Sequence, residues 1–329
     1  MLSACVIGCG FGASLSLEAL AASAQFRLLG ACDPSGTARQ RVVERHADLR
    51  SFDDLDEMQA ECGADVYCIA SPAPTHAGIA RRILGQELRG ILIEKPLACD
   101  AQTAQALLTD IAGRRLPAVV PHGMQVLPAA REVRRRIRDG DIGNIDTVTV
   151  HSSVDLLNAG IHWLAYLLDV FDEDTVQGCR GEFDVAGRLV NDGVRVESRG
   201  LTRIELQSGT RIAVYSGAGT TVSSDVLPPS ERKGAVFRIA GSRGLIEFSA
   251  WAGSYWVRTG GRPGELIRRP LRGAVNFHQL VLEDLADQIG KDEPDYRLAN
   301  LSLAALRLIE AAYECRTEGD WPHGVAAVP

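Results

Sequence analysis

The 329-residue chain lacks several features that would assign it to whole classes of protein. It has no apolar run close to the roughly 20 residues of a membrane-spanning helix, so we expect no membrane partner. Its formal net charge of -7 offers no basic face for phosphates, which argues against nucleic acid as a partner. Internal repeats and low-complexity segments are also missing. A soluble globular protein remains, and its length predicts two domains.

The eight cysteines form no Cys-x-x-Cys pair and have no histidine nearby at metal-ligand spacing. We therefore expect no metal site, and most of these thiols lie in apolar runs where cysteine packs as a small hydrophobe. Residues 1–4 lead straight into an apolar strand without a basic stretch. We therefore expect no secretory signal and a cytoplasmic location.

Lysine is scarce in a chain that contains 35 lysines and arginines together: only Lys95, Lys233 and Lys291 are present. A chain that uses arginine for ordinary positive charge makes each lysine a candidate for a specific role. Lys95 stands out because it directly follows an apolar strand, at the end where open α/β sheets bind ligands.

The first third of the chain alternates short apolar strands with helical patterns. The strands are predicted at residues 4–8, 27–32, 65–70, 90–94 and 118–120, and the helices at 13–24, 36–47, 75–85 and 101–113. This alternation favours right-handed βαβ units on a parallel sheet. We expect a dinucleotide-binding (Rossmann) domain over residues 1–121.

After residue 121 the pattern changes to strands that alternate apolar and polar residues. Examples are 202–207 and 211–215, joined by Ser208-Gly209, with further strands at 145–150, 235–240 and 244–248 and a helix over 158–171. Such alternation is typical of an antiparallel or mixed sheet with one exposed face. The sequence therefore predicts an α+β domain with a mostly antiparallel open sheet over residues 122–329.

A glycine-rich turn joins the first strand to the first helix. Gly8 permits the tight turn, Gly10 lets a pyrophosphate approach the backbone, and Ala13 takes the third small position. The amino end of the helix supplies unpaired N–H groups to the phosphate. This context predicts a nicotinamide dinucleotide cofactor rather than a structural turn.

The end of the second strand indicates which nucleotide binds. Asp33 lies where an acid reaches the ribose 2′-hydroxyl and repels a 2′-phosphate, so we expect NAD. Arg39 and Arg41 in the next helix soften that preference, and NADP stays open as an alternative.

Two further motifs follow the strands that end near residues 70 and 94. One contains Ser71, Pro72 and His76; the other is Glu94-Lys95-Pro96. With the glycine turn, and with the segments 139–143, 158–162 and 239–244, they resemble the Gfo/Idh/MocA oxidoreductases, relatives of glucose–fructose oxidoreductase and inositol dehydrogenase. The resemblance covers nearly the whole chain in the family's order.

The resemblance implies a nicotinamide-dependent dehydrogenase or reductase that acts on a sugar, a cyclitol or a related polyhydroxylated or keto compound. It implies a general acid/base role for His162, and a substrate or proton-donating role for Lys95, whose bond to Pro96 is commonly cis in the family. It also implies a homodimer or homotetramer paired through the open sheet. The residues expected to bind cofactor are Gly8, Gly10, Phe11, Gly12, Asp33, Ser71, Pro72, His76, Glu94 and Lys95.

The chain departs from the family at several substrate positions. Asn158 stands where many relatives have Asp, and Ala165 also replaces a frequent Asp. At the family's Asn-x-Arg-Phe segment the chain has Met-Gln-Val-Leu, which loses an expected charge. We expect Asn158 and Gln125 to contact substrate. The substrate wall is expected from residues 195–199, 216–226 or 251–256.

Two other functions stay open on the sequence. One is a non-catalytic NAD-binding regulator, which Asn158 and Ala165 favour slightly but which the retention of Lys95 and His162 argues against. The other is an NAD-dependent glycoside hydrolase of the same family, which would retain its NAD tightly. A histidine packed in the core is the structural alternative for His162.

Overall fold

The computed structural model describes residues 1–172, 174–184, 189–191 and 194–314. The chain divides into two units. Unit 1 comprises Met1–Gly123 and Arg272–Leu303; unit 2 comprises Met124–Leu271 and the described residues from Ala304 onward. The predicted functional domains, 1–121 and 122–329, are a separate division of the chain and stay a prediction.

A six-stranded sheet forms the centre of unit 1. Its strands are β1 (Leu2–Ile7), β2 (Phe26–Cys32), β3 (Arg50–Phe52), β4 (Val66–Ile69), β5 (Gly90–Ile93) and β6 (Ala118–Val119). They are all parallel, in the order β3-β2-β1-β4-β5-β6. The strand order reverses at β1, between β2 and β4. In open α/β sheets the ligand binds outside the carboxyl ends of the strands at such a reversal.

Five helices connect these strands. They are α1 (Phe11–Ala22), α2 (Gly36–Arg45), α3 (Leu55–Cys62), α4 (His76–Ile83) and α5 (Ala101–Gly113). Asp54 caps α3 and Asp100 caps α5, each through a side-chain oxygen that accepts backbone N–H groups of the first turn. The sequence prediction missed β3 and α3. Only one of the three residues of β3 is buried, so its alternation is too short to detect.

An eight-stranded sheet forms the centre of unit 2. Its strands are β7 (Ile145–Ser152), β8 (Val176–Phe183), β11 (Gly200–Leu206), β12 (Arg211–Ser216), β13 (Ala235–Gly241), β14 (Gly244–Ser249), β15 (Ser254–Thr259) and β16 (Glu265–Arg268), in the order β16-β15-β14-β13-β7-β12-β11-β8. A separate pair consists of β9 (Leu189–Asn191) and β10 (Val194–Val196). Within the described chain, β7 and β12 are the one parallel pair of neighbours in the large sheet.

One face of this large sheet is covered by helices. They are α6 (Gly123–Val126), α7 (Pro128–Arg138) and α8 (Ile161–Val170), and a π-helical turn, Leu156–Gly160, leads into α8. Trp163 and Tyr166 of α8 pack edge-on against Phe237, which stacks on Phe248 with 4.7 Å between ring centroids. On the other face, alternate residues of β11 and β12 stay exposed.

The two remaining helices are α9 (Phe277–Gln288) and α10 (Arg297–Glu314). Helix α9 packs on α1, β5 and β6 of unit 1. Asn276 begins it: its Oδ1 accepts the His278 N–H at 2.9 Å, and its Nδ2 donates to the Leu15 carbonyl of α1 at 3.1 Å. The predicted fold class, a Rossmann domain with an α+β part built on a mostly antiparallel open sheet, is confirmed.

Candidate functional site

The glycine turn has the geometry that a bound pyrophosphate requires. Gly8 has a φ of +104°, and a Cβ there would lie 2.5 Å from the Ala70 carbonyl oxygen, so no other residue fits. A Cβ at Gly10 would meet nothing within 4 Å. Helix α1 has no side-chain cap and no acidic residue in its first turn. Its N–H groups therefore face open space, which suits a phosphate. Phe11, 89% exposed, borders the same space.

Asp33 connects the glycine turn to the end of β2. Its Oδ2 accepts the Cys9 N–H and its Oδ1 accepts the Ser35 N–H, both at 2.8 Å. The Arg39 guanidinium donates to the Asp33 carbonyl at 2.7 Å and lies 3.7 Å from Asp53. A carboxylate oxygen can accept more than one hydrogen bond, so Asp33 can also accept one from a ribose hydroxyl.

His76 joins the two loops that follow β4 and β5. Its Nε2 lies 2.7 Å from the Ser71 carbonyl oxygen and its Nδ1 lies 2.8 Å from the Pro96 carbonyl oxygen. Carbonyl oxygens only accept, so the ring nitrogen that carries the proton donates to its carbonyl. His76 is buried and holds the loop of Ser71 and Pro72 against the Lys95–Pro96 turn.

Glu94 and Lys95 lie at the carboxyl end of β5, and the Lys95–Pro96 peptide bond is cis, as the resemblance implied. The Glu94 carboxyl is adjacent to the first turn of α1, since a Cβ at Gly12 would be 3.9 Å from its Cδ. Burial raises the pKa of Glu94 to about 7, against the opposing effect of the Lys95 charge and of the Lys95 N–H, which Glu94 Oε2 accepts at 3.2 Å.

His122 lies in the electrostatic environment of Lys95, which the sequence did not indicate. The ring is fully buried, and burial, assisted by the Lys95 charge, lowers the pKa of His122 to about 3. The His122 ring is therefore neutral near pH 7, and Lys95 is the charged member of this pair.

In unit 2, His162 and Asn158 are one helical turn apart. His162 is buried on α8 with the Trp251 ring edge-on at 5.3 Å. Asn158 lies in the π-helical turn, and its Nδ2 donates to both oxygens of Asp155 at 2.9 Å. Asp155 Oδ1 also accepts the Asn158 backbone N–H at 2.8 Å. A carboxylate has only acceptors, so the amide oxygen of Asn158 points away from Asp155.

A buried carboxylate fixes the start of this turn. Glu197, 1% exposed, accepts the Leu156 N–H at 2.7 Å and the Tyr313 hydroxyl at 2.5 Å, and it also accepts the Ser216 hydroxyl. Glu197 thereby connects the π-helical turn, the end of β12 and α10. The position of Asn158 therefore depends on three separate elements of unit 2.

Gln125 is 1% exposed in α6, and within the described residues neither its Nε2 nor its Oε1 has a hydrogen-bond partner. Its backbone carbonyl accepts from Arg131 Nε at 2.9 Å. An unsatisfied buried polar group costs about 1–3 kcal/mol. The Gln125 carboxamide therefore has an unused donor and an unused acceptor.

The three segments expected to form a substrate wall lie in different places. Trp251 packs against His162, as described above. Arg199 and residues 219–221 line a cavity of about 670 Å³ with His151 and Tyr215. That cavity lies on the exposed face of the large sheet, opposite α8, because His151 and Tyr215 alternate with strand residues that are buried under the helices. The Arg195 side chain lies outside the described residues.

Sequence reasoning missed four buried groups near the candidate site residues. Only one had a visible signal, the spacing of an N-cap aspartate three residues before Asn158. The other three belong to no motif or spacing pattern that the sequence shows. The four are His122, Asp155, Glu197 and His278.

Two absences concern metals and membranes. The part of the chain that the structure describes contains no group of three or more His, Cys, Asp or Glu residues that could hold a metal ion. None of its helices is long and apolar enough to cross a membrane. The cytoplasmic location stays a prediction.

Comparison with known proteins identifies the first part of the chain. Residues 2–120 match the model of an oxidoreductase family with an NAD-binding Rossmann fold, Gfo/Idh/MocA. The chain is 26% identical over 188 residues to inositol 2-dehydrogenase from Rhizobium meliloti (strain 1021). That alignment covers 57% of this chain and 54% of the dehydrogenase, so the match spans about half of the relative's length.

Solved structures extend the likeness in fold to the whole chain. An oxidoreductase from Agrobacterium radiobacter, in complex with NAD+, L-tartaric acid and magnesium, has a TM-score of 0.79 at 19% identity over 98% of both chains. A 3-ketoreductase from Actinomadura kijaniata, in complex with TDP-benzene and NADP, has a TM-score of 0.77 at 17% identity, covering 96% of this chain and 98% of its own.

At these identities the structural matches establish the shared fold alone. The family model matches residues 2–120, and this match confirms, for that part of the chain, the resemblance drawn from the sequence motifs.

Proposed function

We propose that the chain is an NAD(P)-dependent dehydrogenase or reductase that transfers a hydride between nicotinamide and a sugar, cyclitol or related polyhydroxylated or keto substrate. The observation that carries the proposal is the position of Lys95, at the carboxyl end of β5, in a sheet whose reversal point carries an uncapped glycine turn. The names of the inositol dehydrogenase and the 3-ketoreductase support this substrate class.

The residues of unit 1 fit the cofactor, because the space above Gly10 is open and Asp33 stands at the end of β2. When bound, the cofactor supplies or accepts the hydride. The residues that we propose to hold it are Gly8, Gly10, Phe11, Gly12, Asp33, Ser71, Pro72, His76, Glu94 and Lys95.

The proton-transfer work is assigned to Lys95 and His162. Oxidising an alcohol requires a group that takes the hydroxyl proton, and a histidine suits that task near neutral pH. An ammonium group stabilises the negative charge that develops on the same oxygen. Lys95 belongs to unit 1 and His162 to unit 2.

Two carboxamides are assigned to substrate recognition. Asn158 directs its amide oxygen away from Asp155, and Gln125 carries a donor and an acceptor that are both unsatisfied. Hydroxyl groups both donate and accept, so a polyhydroxylated compound satisfies such groups without an added charge. The loss of the charged residue that many relatives have at position 158 favours neutral polyol or sugar groups there.

The proposed function is tested by assaying NAD+ reduction and NADH oxidation against a panel of cyclitols, aldoses, sugar acids and their keto forms. Turnover of at least one member, lost in Lys95→Ala, is the expected result. Tight NAD binding with no turnover across the panel would favour a regulator. Glycoside cleavage without added nucleotide would favour the hydrolase. Either outcome would replace the proposed function.

Cofactor preference depends on the charge of Asp33. We expect calorimetry to show NAD(H) binding at least about tenfold more tightly than NADP(H), since a carboxylate repels a 2′-phosphate. Asp33→Ser should narrow this gap. Asp33→Asn is the matched control for geometry, because its amide oxygen still accepts the Cys9 N–H while the charge is gone. Tighter binding of NADP(H) by the wild type would contradict the assignment of Asp33 to the ribose 2′-hydroxyl.

Association is expected through the exposed face of the large sheet. Across it, residues in register form a row that includes Arg238, Thr149, Ala213 and Arg203. We expect a homodimer or homotetramer with closed symmetry, seen by sedimentation at micromolar concentration. Ala213→Arg, which places a charge beside Arg203 in every copy, should weaken it. A single ~35 kDa species in the wild type would contradict the prediction.

A further inference from the structure

A chain of buried polar side chains lies behind Glu94 in unit 1. His278, 1% exposed in the first turn of α9, places its Nδ1 3.0 Å from Ser16 Oγ of α1. Its Nε2 lies 3.4 Å from Glu94 Oε1. Ser16 is fully buried in the middle of α1. The three side chains come from separate elements and converge on one carboxylate.

The protonation of this chain follows from its chemistry. Burial lowers the pKa of His278 to about 3, so the ring is neutral at pH 7 and its contact with Glu94 is not a salt bridge. An ionised carboxylate can only accept, so the single ring proton belongs on Nε2, facing Glu94. Nδ1 then accepts the Ser16 hydroxyl. Each polar atom of the chain is satisfied when Glu94 is ionised.

Few other titratable groups face Glu94. Lys95 is adjacent in sequence, and the Cys68 thiol of β4 lies near the carboxylate. Burial raises the pKa of Cys68 to about 12, so the thiol is neutral. Helix α1 contributes Gly12 and Ser16, neither of which titrates. Burial and Lys95 therefore set the charge on Glu94, and His278 is the polar side chain in contact with the carboxylate, at 3.4 Å.

We propose that Ser16 and His278 hold the Glu94 carboxylate so that it selects the oxidised, positively charged nicotinamide ring over the reduced, neutral one. The inference rests on the proposed function, which puts the nicotinamide end of the cofactor beside Glu94. Ser16 and His278 are positioning residues: they act on the cofactor only through the carboxylate.

The position of the carboxylate supports this role. Glu94 follows β5, the neighbour of β4, and lies against the first turn of α1, where a ligand crosses the reversal point of the sheet. An opposite charge within about 4–6 Å of a carboxyl lowers its pKa by about 1–3 units. By linkage, the ionised carboxylate strengthens binding of the cationic ring by the corresponding factor, at least about tenfold. The neutral reduced ring gains nothing comparable.

The sign of the pH dependence follows. The pKa of Glu94 is raised to about 7, so the carboxyl is mostly protonated one unit below that value and mostly ionised one unit above it. The ratio of the dissociation constants, Kd(NAD+)/Kd(NADH), should therefore fall by at least about tenfold as the pH rises through this range. Titration calorimetry with each nucleotide, without any substrate, measures the ratio.

Variants separate the carboxylate from the groups that hold it. Glu94→Gln should give a ratio that no longer depends on pH. His278→Phe removes the polar contact at 3.4 Å from Glu94 and should move the midpoint upward, by no more than the one pH unit or so of a hydrogen bond to a charged group. His278→Gln returns an N–H donor and should restore most of the midpoint. Ser16→Ala, which removes one oxygen, should move it upward by less.

The matched control for Ser16→Ala is Ser302→Ala, another buried helical serine of unit 1, and it should leave the midpoint unchanged. Thermal unfolding checks that each variant folds. If both nucleotides bind but the ratio is flat with pH in the wild type, or keeps its dependence in Glu94→Gln, the inference is overturned and the proposed function stands. If the wild type binds neither nucleotide, the proposed function fails first.

Discussion

Replacing Lys95 or His162 by alanine is expected to lower kcat by about 10²–10⁴-fold while NAD binding changes far less. This is the usual contribution of a general acid or base, and it corresponds to about 3–5 kcal/mol of transition-state stabilisation. Steady-state kinetics on the best substrate of the panel gives kcat, and calorimetry gives the dissociation constant for NAD. Lys291→Ala, which removes an exposed lysine of unit 1, is the matched control and should keep wild-type rates.

The double variant tests whether the two residues serve one step. If they act on the same oxygen, Lys95→Ala and His162→Ala together should lose less than the product of the single losses, because residues that act as a unit are not additive. A double loss equal to that product would mean separate tasks. Turnover intact in both single variants would place the chemistry elsewhere.

Alanine at two glycines of the same turn is expected to destabilise the fold at one position, Gly8, and to leave its stability unchanged at the other, Gly10. Gly8→Ala forces a left-handed φ on a residue with a Cβ and drives that Cβ to 2.5 Å from the Ala70 carbonyl oxygen. We expect a loss of about 2–4 kcal/mol in the free energy of unfolding and loss of NAD binding. Gly10→Ala has an ordinary extended backbone and open space, so its stability should stay within about 0.5 kcal/mol of the wild type.

The affinity of Gly10→Ala for NAD is the decisive measurement. Its Cβ projects into the space where the pyrophosphate approaches the backbone, so we expect at least about tenfold weaker binding in calorimetry with an unchanged melting temperature. Gly113→Ala, at the end of α5 and also with nothing within 4 Å of its Cβ, is the control for adding a methyl group in the open. Unchanged NAD affinity in Gly10→Ala would contradict the proposal that the pyrophosphate binds at this turn.

The parts of the fold that could be predicted from sequence are those whose signal is local. Local patterns of apolar residues or glycines mark the glycine turn, the strand before Glu94 and the alternating strands 202–207 and 211–215. The strand before Glu94 lies in the predicted parallel sheet, and the two alternating strands lie in the predicted mostly antiparallel sheet. Strand β3 has one buried residue, so no pattern exists to detect. The order of the eight strands in unit 2 depends on long-range pairing, such as β7 beside β12, that no local pattern encodes.

The candidate site shows the same limit. Lys95 is recognisable from its motif, but the groups that set its surroundings come from distant parts of the chain: His122 follows β6, and His278 reaches Glu94 from α9. Asn158 was expected from the sequence to contact substrate, and the structure adds that both carboxylate oxygens of Asp155 accept its side-chain N–H groups. A carboxylate introduced at position 158 would therefore meet Asp155 before it could influence His162, which sequence alone did not indicate.

Unit 1 is interrupted in sequence, and this affects the order in which it can be completed during synthesis. All six strands of its sheet have been translated by residue 119, yet α9, which covers α1 and β5, is not made until residue 288. Until then the nascent chain lacks the His278 partner of Ser16 and the Asn276 donor to the Leu15 carbonyl, and the side of β5 at Gly90 lacks Leu285 and Ile289. Domains generally fold as units while the chain emerges from the ribosome. The strands of unit 2 are therefore made while unit 1 still lacks α9. The ribosome therefore delivers α9 after all eight strands of the large sheet of unit 2.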